Sequence, residues 1–400
     1  MSGRVNLLAP EVRANPYPSF AELRRSPVCQ VDPGGYWVLT RYDDVVAAFK
    51  NPQVFSSIGM RVATKPAWLG HNPFADSMIG MDPPNHTRLR TLVNRAFGPP
   101  TLARLESRIR AFAGAIVDRI PEGQPVDIVD AFCLPLPASV IGELIGLDPT
   151  QHHLFKRWAD DLTSITGIGS NPDPERQKVR MEEIRATVRE TEQYMGRVLA
   201  SRRVEPRDDL VTDLVNARVE GEALSDAELM NFMFLLLVAG LETTIHLMSH
   251  SLRILMERPE LLARLRAEPS RIPRFVEEVL RYEPPVQAIM RFTVADADVR
   301  GVTIPKGSVV GLMLGSANHD ETHFEGADTF NMDREGTNTL PFGHGVHFCL
   351  GAPLARMEAR FGLEALLTRF ARFTPAGPLV WNQSFTVRGP VHMPVVAHAK

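Results

Sequence analysis

Hydrophobic and polar positions follow two rhythms along this chain, and the helical one prevails. Near the start, the apolar-rich runs Val28–Val31 and 36–40 flank Asp32-Pro33-Gly34-Gly35, which predicts a hairpin with turn residues at its tip. Asp43 is placed to cap the helix that follows, and Pro83-Pro84 stands where another begins, running through Arg88, Arg90 and Arg95. Ser225-Asp226-Ala227-Glu228 reads as a capping box opening a helix to Glu257, before Pro259, about 50 Å long. That predicts the longest helix. Its apolar run at 232–241 reaches half of the ~20 residues that a membrane span needs, so a buried helix is expected. Further on, a helix over 273–282 meets Pro284-Pro285, strand-like pieces cover 291–294 and 308–314, and a helix covers 350–370. Residues 318–348 between them read as irregular, a length that points to a functional loop.

No linker, repeat or low-complexity tract interrupts this pattern, so a single domain over 1–400 is expected. Composition changes the picture mainly by exclusion. With 44 Lys+Arg against 47 Asp+Glu, the net charge of −3 lacks the basic footprint of nucleic-acid binders, and no polybasic membrane anchor is present. The first ten residues hold no apolar core of a secretory signal. Cys29, Cys133 and Cys349 are too few, and odd in number, for a disulfide framework, which fits a reducing cytoplasm.

One cysteine has unusual neighbours. The run Leu340-Pro341-Phe342-Gly343-His344-Gly345-Val346-His347-Phe348-Cys349-Leu350-Gly351-Ala352 sets it between glycine-permitted turns and a helix start. The positive end of that helix favours a thiolate. Gly343 and Gly345 permit backbone geometries that aim N–H groups at the sulfur, Gly351 lets a flat ligand approach, and Phe342 is placed to shield the sulfur from water. A zinc site from His344, His347 and Cys349 lacks a fourth ligand, and His246 with His250 lacks the acidic partner of a His-Glu-x-x-His site. In the predicted long helix, Ala239-Gly240-Leu241-Glu242-Thr243-Thr244 sets an acid and two hydroxyls just after the apolar run. Gly240 leaves room for a small ligand, and Thr243 can turn its hydroxyl to the backbone and open the helix locally. A solvated Glu and back-bonded threonines are the alternative that the residues alone leave open.

The cysteine run resembles the haem-thiolate loop of the cytochrome P-450 family, Phe-Gly-x-Gly-x-His/Arg-x-Cys-x-Gly, at every specified position. The resemblance extends from about Asn15 to the end of the chain. It implies a mainly α fold with a minor β region, a triangular helical prism holding haem b between the long helix and the cysteine loop. It makes Cys349 the axial ligand of the iron, with Phe342, Gly343 and Gly351 around it, and makes Thr243 and Glu242 the oxygen-activating and proton-delivering pair. His86, Arg90, Arg291 and His347 match positions that hold haem propionates, for which charge-assisted hydrogen bonds give the reason. Glu278 and Arg281 match a buried structural clasp. Asp328-Thr329-Phe330 departs from the pattern of its third member, with Arg334 as a substitute.

By position in the family, Leu235, Val238, Ala239, Ile289 and Phe385 line the substrate pocket, and the segment 60–79 resembles the variable loop that covers it. The implied activity is insertion of one oxygen atom from O2 into a lipophilic small molecule. Two electrons would come from a ferredoxin or flavodoxin served by an NAD(P)H-dependent reductase, docking on Arg88, Arg95, Arg356 and Arg360. A peroxide-driven or isomerising haem-thiolate enzyme would not require Glu242 and Thr243. A haem-binding sensor would need an output domain.

Overall fold

The computed structural model describes residues 4–147, 151–165, 173–336 and 338–400. The chain forms two compact units, one of Met1–Ser56, Ile109–Leu136 and Thr243–Lys400, the other of Ser57–Arg108 and Pro137–Glu242.

The first unit contains the β structure that the sequence announced as minor. Val28–Val31 and Tyr36–Leu39 pair antiparallel across the Asp32–Gly35 turn, with Val28 opposite Leu39 and Val31 opposite Tyr36. The hairpin extends through Val309–Leu312 and Ile289–Thr293 to Phe55–Ser56, making a five-stranded sheet. One apolar cluster on it gathers Leu39, Val45, Phe49, Val310, Leu312 and Leu340, all buried. The helix Tyr42–Phe49 begins one residue before the expected cap. Asp43 lies within its first turn, while Asp320, far along the chain, accepts the Tyr42 N–H at 2.9 Å. Asp320 is held there by Arg41 at 2.6 Å, so the cap is a tertiary contact that no local pattern could reveal.

Among its described residues, the stretch 318–348 is irregular, as expected, apart from one short helical turn at Gly345–His347. A buried irregular chain must find partners for its backbone polar groups. Here side chains from the helix Ile272–Tyr282 and from the stretch itself supply them. Arg281 donates to the carbonyls of Asn318 (2.9 Å), Ala327 (2.7 Å) and Thr329 (3.0 Å), and Arg334 to those of Gly326 and Thr329. Asn318 accepts the Leu340 N–H at 2.8 Å. The stretch therefore leads into the cysteine loop with a fixed path. The helix Ala352–Arg369 follows and packs on Ile272–Tyr282.

The second unit is built from helices. The capping box forms as read, with Ser225 N–H donating to Glu228 (2.8 Å) and Glu228 N–H to the Ser225 hydroxyl (3.3 Å). It opens Asp226–Glu257, a helix of 32 residues that crosses the boundary between the units. The helix Pro174–Val204, 31 residues, lies outside the sequence expectations, although Asp173 before Pro174 is a recognisable start: its carboxylate accepts the Glu175 N–H at 3.0 Å. Asp161 on His152–Thr163 ties that helix to Pro174–Val204 through Arg180 (2.7 Å) and the Thr187 hydroxyl. By length and composition Asp226–Glu257 is apolar enough to cross a membrane, but most of its apolar stretch is buried inside the protein. Its apolarity serves the core.

Candidate functional site

The cysteine loop is shaped by two left-handed glycines. Gly343 and Gly345 both have φ of 70°, a conformation that costs other residues about 1–2 kcal/mol. Gly345 is also required by space: a Cβ there would stand 2.8 Å from the Phe49 carbonyl oxygen, on the last residue of Tyr42–Phe49. A Cβ on Gly343 would meet Ile289 and the Phe49 ring at an ordinary 3.7 Å. The loop thus rests on the helix end at Phe49, and the strand carrying Ile289 and Arg291 lies beside it. The Arg291 guanidinium sits 5.5 Å from the Phe49 ring centroid and donates to the Met290 carbonyl.

Cys349 donates its N–H to the Phe342 carbonyl at 3.0 Å, which closes the loop three residues before the helix Ala352–Arg369 begins. The Phe342 and Phe348 rings meet edge to face at 6.4 Å. The cysteine is half-buried, yet Val346 and Phe348 beside it are 40% and 44% exposed. A Cβ on Gly351 would lie 3.9 Å from the Cys349 sulfur, so glycine keeps that side of the thiol low. A thiol at the positive end of a helix, on an exposed apolar edge cleared of a side chain, fits a flat apolar ligand with a metal at its centre. The residues present therefore fit a haem. His347 is half-buried on the short turn before the cysteine.

Other expected residues occupy the same unit. Glu278 and Arg281 form a fully buried pair, at 2.9 and 2.7 Å, and Glu278 also accepts the Asn331 N–H at 2.8 Å. Arg334 brings its Nε to 3.4 Å from the second Glu278 oxygen, which gives the pair a third member in place of the departed motif. Ile289 and Phe385 are held on neighbouring segments, because Gln287 donates its N–H to Thr386 (2.8 Å) and Arg388 donates its N–H to Pro285 (2.8 Å). Phe385 also stacks on Tyr36 at 5.8 Å and belongs to an apolar cluster with Val38 and Met313. Thr243 is half-buried. The helix Asp226–Glu257 runs through it. Both long-helix histidines are core residues, His250 meeting the Arg388 carbonyl at 3.0 Å.

In the second unit, His86 is buried on the helix Asn85–Ala96, while Arg90, half-buried, donates to Asn94 at 3.1 Å. Leu235 and Val238 are buried on the long helix, whereas the adjacent Ala239 is exposed in the middle of an otherwise interior apolar run. Gly240 does not leave space for a ligand. Ile141 fills the gap, since a Cβ on Gly240 would come within 2.5 Å of its Cδ1. Glycine here allows close helix approach instead. Glu242 is half-buried and faces Asp160, whose carboxyl is pushed up by burial and by the Glu242 charge, against Lys156 at 2.6 Å.

The proposed basic dock is largely paired. Arg356 binds Glu277 (3.0 Å), Arg360 binds Glu364 (2.8 Å), and Arg88 binds Glu228 and, at 3.5 Å, Glu222. Each of these arginines has its charge offset by a neighbouring carboxylate, so their count in the sequence overstates the positive field.

Comparison with known proteins shows the family. A family model described as Cytochrome P450 matches residues 170–384. The chain is 38% identical over 391 residues to cytochrome P450 107B1 of Saccharopolyspora erythraea, covering 94% of this chain and 93% of that protein. It is 38% identical over 369 residues to the mycinamicin IV hydroxylase/epoxidase of Micromonospora griseorubida, covering 90% and 89%. The solved structure of cytochrome P450 CYP109Q5 from Chondromyces apiculatus superimposes with a TM-score of 0.89 at 38% identity, over 100% of both chains.

Proposed function

The chain belongs to the cytochrome P450 family, whose members are haem-dependent monooxygenases, and from that premise we propose that it hydroxylates or epoxidises a lipophilic small molecule. The cofactor in this reading is haem b. Bound there, the haem supplies activation of O2, so that one oxygen atom enters the substrate and the other leaves as water, at the expense of two electrons and two protons.

The protein supplies ligand, orientation and proton timing. In this reading the Cys349 thiolate holds the iron, favoured by the start of Ala352–Arg369. Phe342 keeps water from the sulfur, and Gly343 and Gly351 keep side chains away from it. His86, Arg90, Arg291 and His347 donate to the two propionates. Glu242 takes protons from solvent and passes them inward, and the Thr243 hydroxyl donates the hydrogen bond that directs them. Leu235, Val238, Ala239, Ile289 and Phe385 exclude water and position an apolar substrate, with Ala239 leaving room for its bulk. The name of the hydroxylase/epoxidase relative supports both reaction types. Electrons come from an external ferredoxin or flavodoxin with its NAD(P)H-dependent reductase. The 400 residues act as one catalytic domain, and the cytoplasm is the proposed compartment.

The observation that carries this reading is the Cys349 loop, with two left-handed glycines and a half-buried thiol set before a helix start. Its mechanism is tested with Thr243→Ala, supplied with reductase, ferredoxin and a substrate found by spin-state screening. Reductant consumption should continue while product falls and peroxide accumulates. Unchanged coupling of reductant to product would remove Thr243 from the relay.

A further inference from the structure

The turn that carries Phe385 is tied to the long helix through its backbone, wholly within the first unit. Asn382 closes the turn: its N–H donates to the Gly389 carbonyl at 3.0 Å, and its side-chain amide to the Val387 carbonyl at 2.8 Å. The Ser384 hydroxyl accepts the Thr386 and Val387 N–H groups at 3.2 and 3.1 Å. Gln287 and Ala288 donate their N–H groups to the Thr386 carbonyl, which joins the turn to the segment ending at Ile289, beside Gly343 of the cysteine loop. Two contacts then seat the turn on Asp226–Glu257. A Cβ on Gly389 would overlap the His246 ring, so the missing side chain lets the backbone pass against it. One helical turn on, the fully buried His250 meets the Arg388 carbonyl through Nε2 at 3.0 Å. A carbonyl only accepts, so Nε2 carries the proton and donates. Burial lowers that ring to about 3 and keeps it neutral. The Arg388 side chain is held by Glu283 at 2.5 Å, by the Arg13 and Ala14 carbonyls at 3.1 and 2.6 Å, and by the Trp381 ring, 3.9 Å from its centroid.

We infer that His250 is a positioning residue for ligand selectivity: through the Arg388 carbonyl it holds the Phe385 turn on the long helix, and so sets how firmly a ligand's apolar arm is gripped. This rests on the functional reading above, in which Phe385 lines the substrate pocket. Glu283 and Trp381 fix the Arg388 side chain, whereas the histidine fixes its backbone, and the backbone is what carries Phe385, three residues away. A shift of that carbonyl reaches Phe385 through a turn closed by its own hydrogen bonds. A ligand without an apolar arm does not sense it.

The test uses the full-length haem-loaded protein with His250→Phe, which keeps a ring but loses the donor, and His250→Gln, whose amide restores a donor near the same place. His250→Leu replaces the first variant if it does not accumulate. Absorbance titrations follow 4-phenylimidazole, an iron ligand with an apolar arm, and imidazole, one without. Hydrogen–deuterium exchange over residues 382–389 gives a readout independent of ligand and activity. His250→Phe should exchange faster there and bind 4-phenylimidazole about fivefold more weakly, the equivalent of one hydrogen bond of ordinary strength. Imidazole binding should stay unchanged, and His250→Gln should restore both exchange and affinity. In a Phe385→Ala background, His250→Phe should have no further effect on 4-phenylimidazole. Faster exchange with unaltered 4-phenylimidazole binding, equal weakening of both azoles, or an effect that persists without Phe385 would overturn the selectivity role. Unaltered exchange would overturn the hold on the turn. Failure of the unmodified protein to bind either azole would instead overturn the haem reading, while the exchange comparison would still decide whether His250 holds the turn.

Discussion

Alanine at Gly345 and at Gly343 should separate two costs that the cysteine loop combines. Both glycines have φ of 70°, so each substitution forces alanine into the left-handed region at about 1–2 kcal/mol. At Gly343 that is the whole cost, because the new Cβ meets Ile289 and the Phe49 ring at 3.7 Å, ordinary contact distance. At Gly345 the Cβ would stand 2.8 Å from the Phe49 carbonyl oxygen, a backbone atom with no rotamer to escape through. Relieving that overlap adds about 1–3 kcal/mol, for a total of about 2–5 kcal/mol. The movement also displaces the turn that leads to Cys349. Denaturant unfolding of the haem-loaded protein measures the first effect, and the reduced carbon monoxide spectrum measures the second. Gly343→Ala should lose about 1–2 kcal/mol and keep its red-shifted Soret band. Gly345→Ala should lose more and convert part of its population to a shorter-wavelength band. Equal losses in the two variants, or a spectral change confined to Gly343→Ala, would refute the steric reasoning.

Arg281→Ala would take from the buried Glu278 charge its two shortest ion-pair bonds and leave the Asn318 and Ala327 carbonyls without their donor; a loss of about 3–5 kcal/mol is expected, seen as failure to accumulate folded haem-loaded protein. Arg334→Ala should cost less, and a double-mutant cycle with Glu278→Gln should return a coupling above experimental error; zero coupling would remove Arg334 from the clasp. Gly240→Ala should destabilise by about 1–3 kcal/mol, and adding Ile141→Val, which removes the Cδ1 atom in the way, should recover most of it; no recovery would show that the close approach is relieved elsewhere. Burial alone would raise the Glu283 carboxyl, but Arg388, His250, Arg253 and the Tyr17 hydroxyl bring it down to about 2, while burial lowers His250 to about 3. The unfolded chain therefore binds protons that the folded one refuses. Stability held at neutral pH should fall as pH drops below about 6.5 on account of His250, and further from about 4.5 toward 2 on account of Glu283. Burial pushes the Glu358 carboxyl up and acts in the opposite sense, so urea midpoints from pH 7 to pH 3 are compared with those of His250→Gln; the variant should lose the part of the decline that begins below about 6.5, and identical profiles would contradict the reasoning.

Features written in consecutive residues were legible in the sequence. The hairpin, the capping box at Ser225, the cysteine run and the Glu278/Arg281 spacing each depend on local chemistry, and each has its expected local form. Features that depend on a distant partner were not. The cap of Tyr42–Phe49 comes from Asp320, the filling of the Gly240 notch from Ile141, and the offset of Arg356 from Glu277. None of these partners is near its target in the chain. The clasp joins both cases: its first two members are three residues apart on one helix, whereas Arg334, named from the sequence as a substitute, reaches Glu278 at 3.4 Å only through the path of the irregular stretch. Pro174–Val204 escaped for another reason. Charged residues on most of its faces blur the apolar stripe, and only Asp173-Pro174 marked its beginning.

The central claim is that the Cys349 sulfur is the protein's bond to a haem iron. Its most direct test is the absorbance of the reduced, carbon monoxide-treated holoprotein beside Cys349→Ser. The account predicts a strongly red-shifted Soret band, the mark of thiolate ligation, in the unmodified protein and its absence in the variant. An intact, haem-containing protein without that band, or a variant that retains it, would contradict the account.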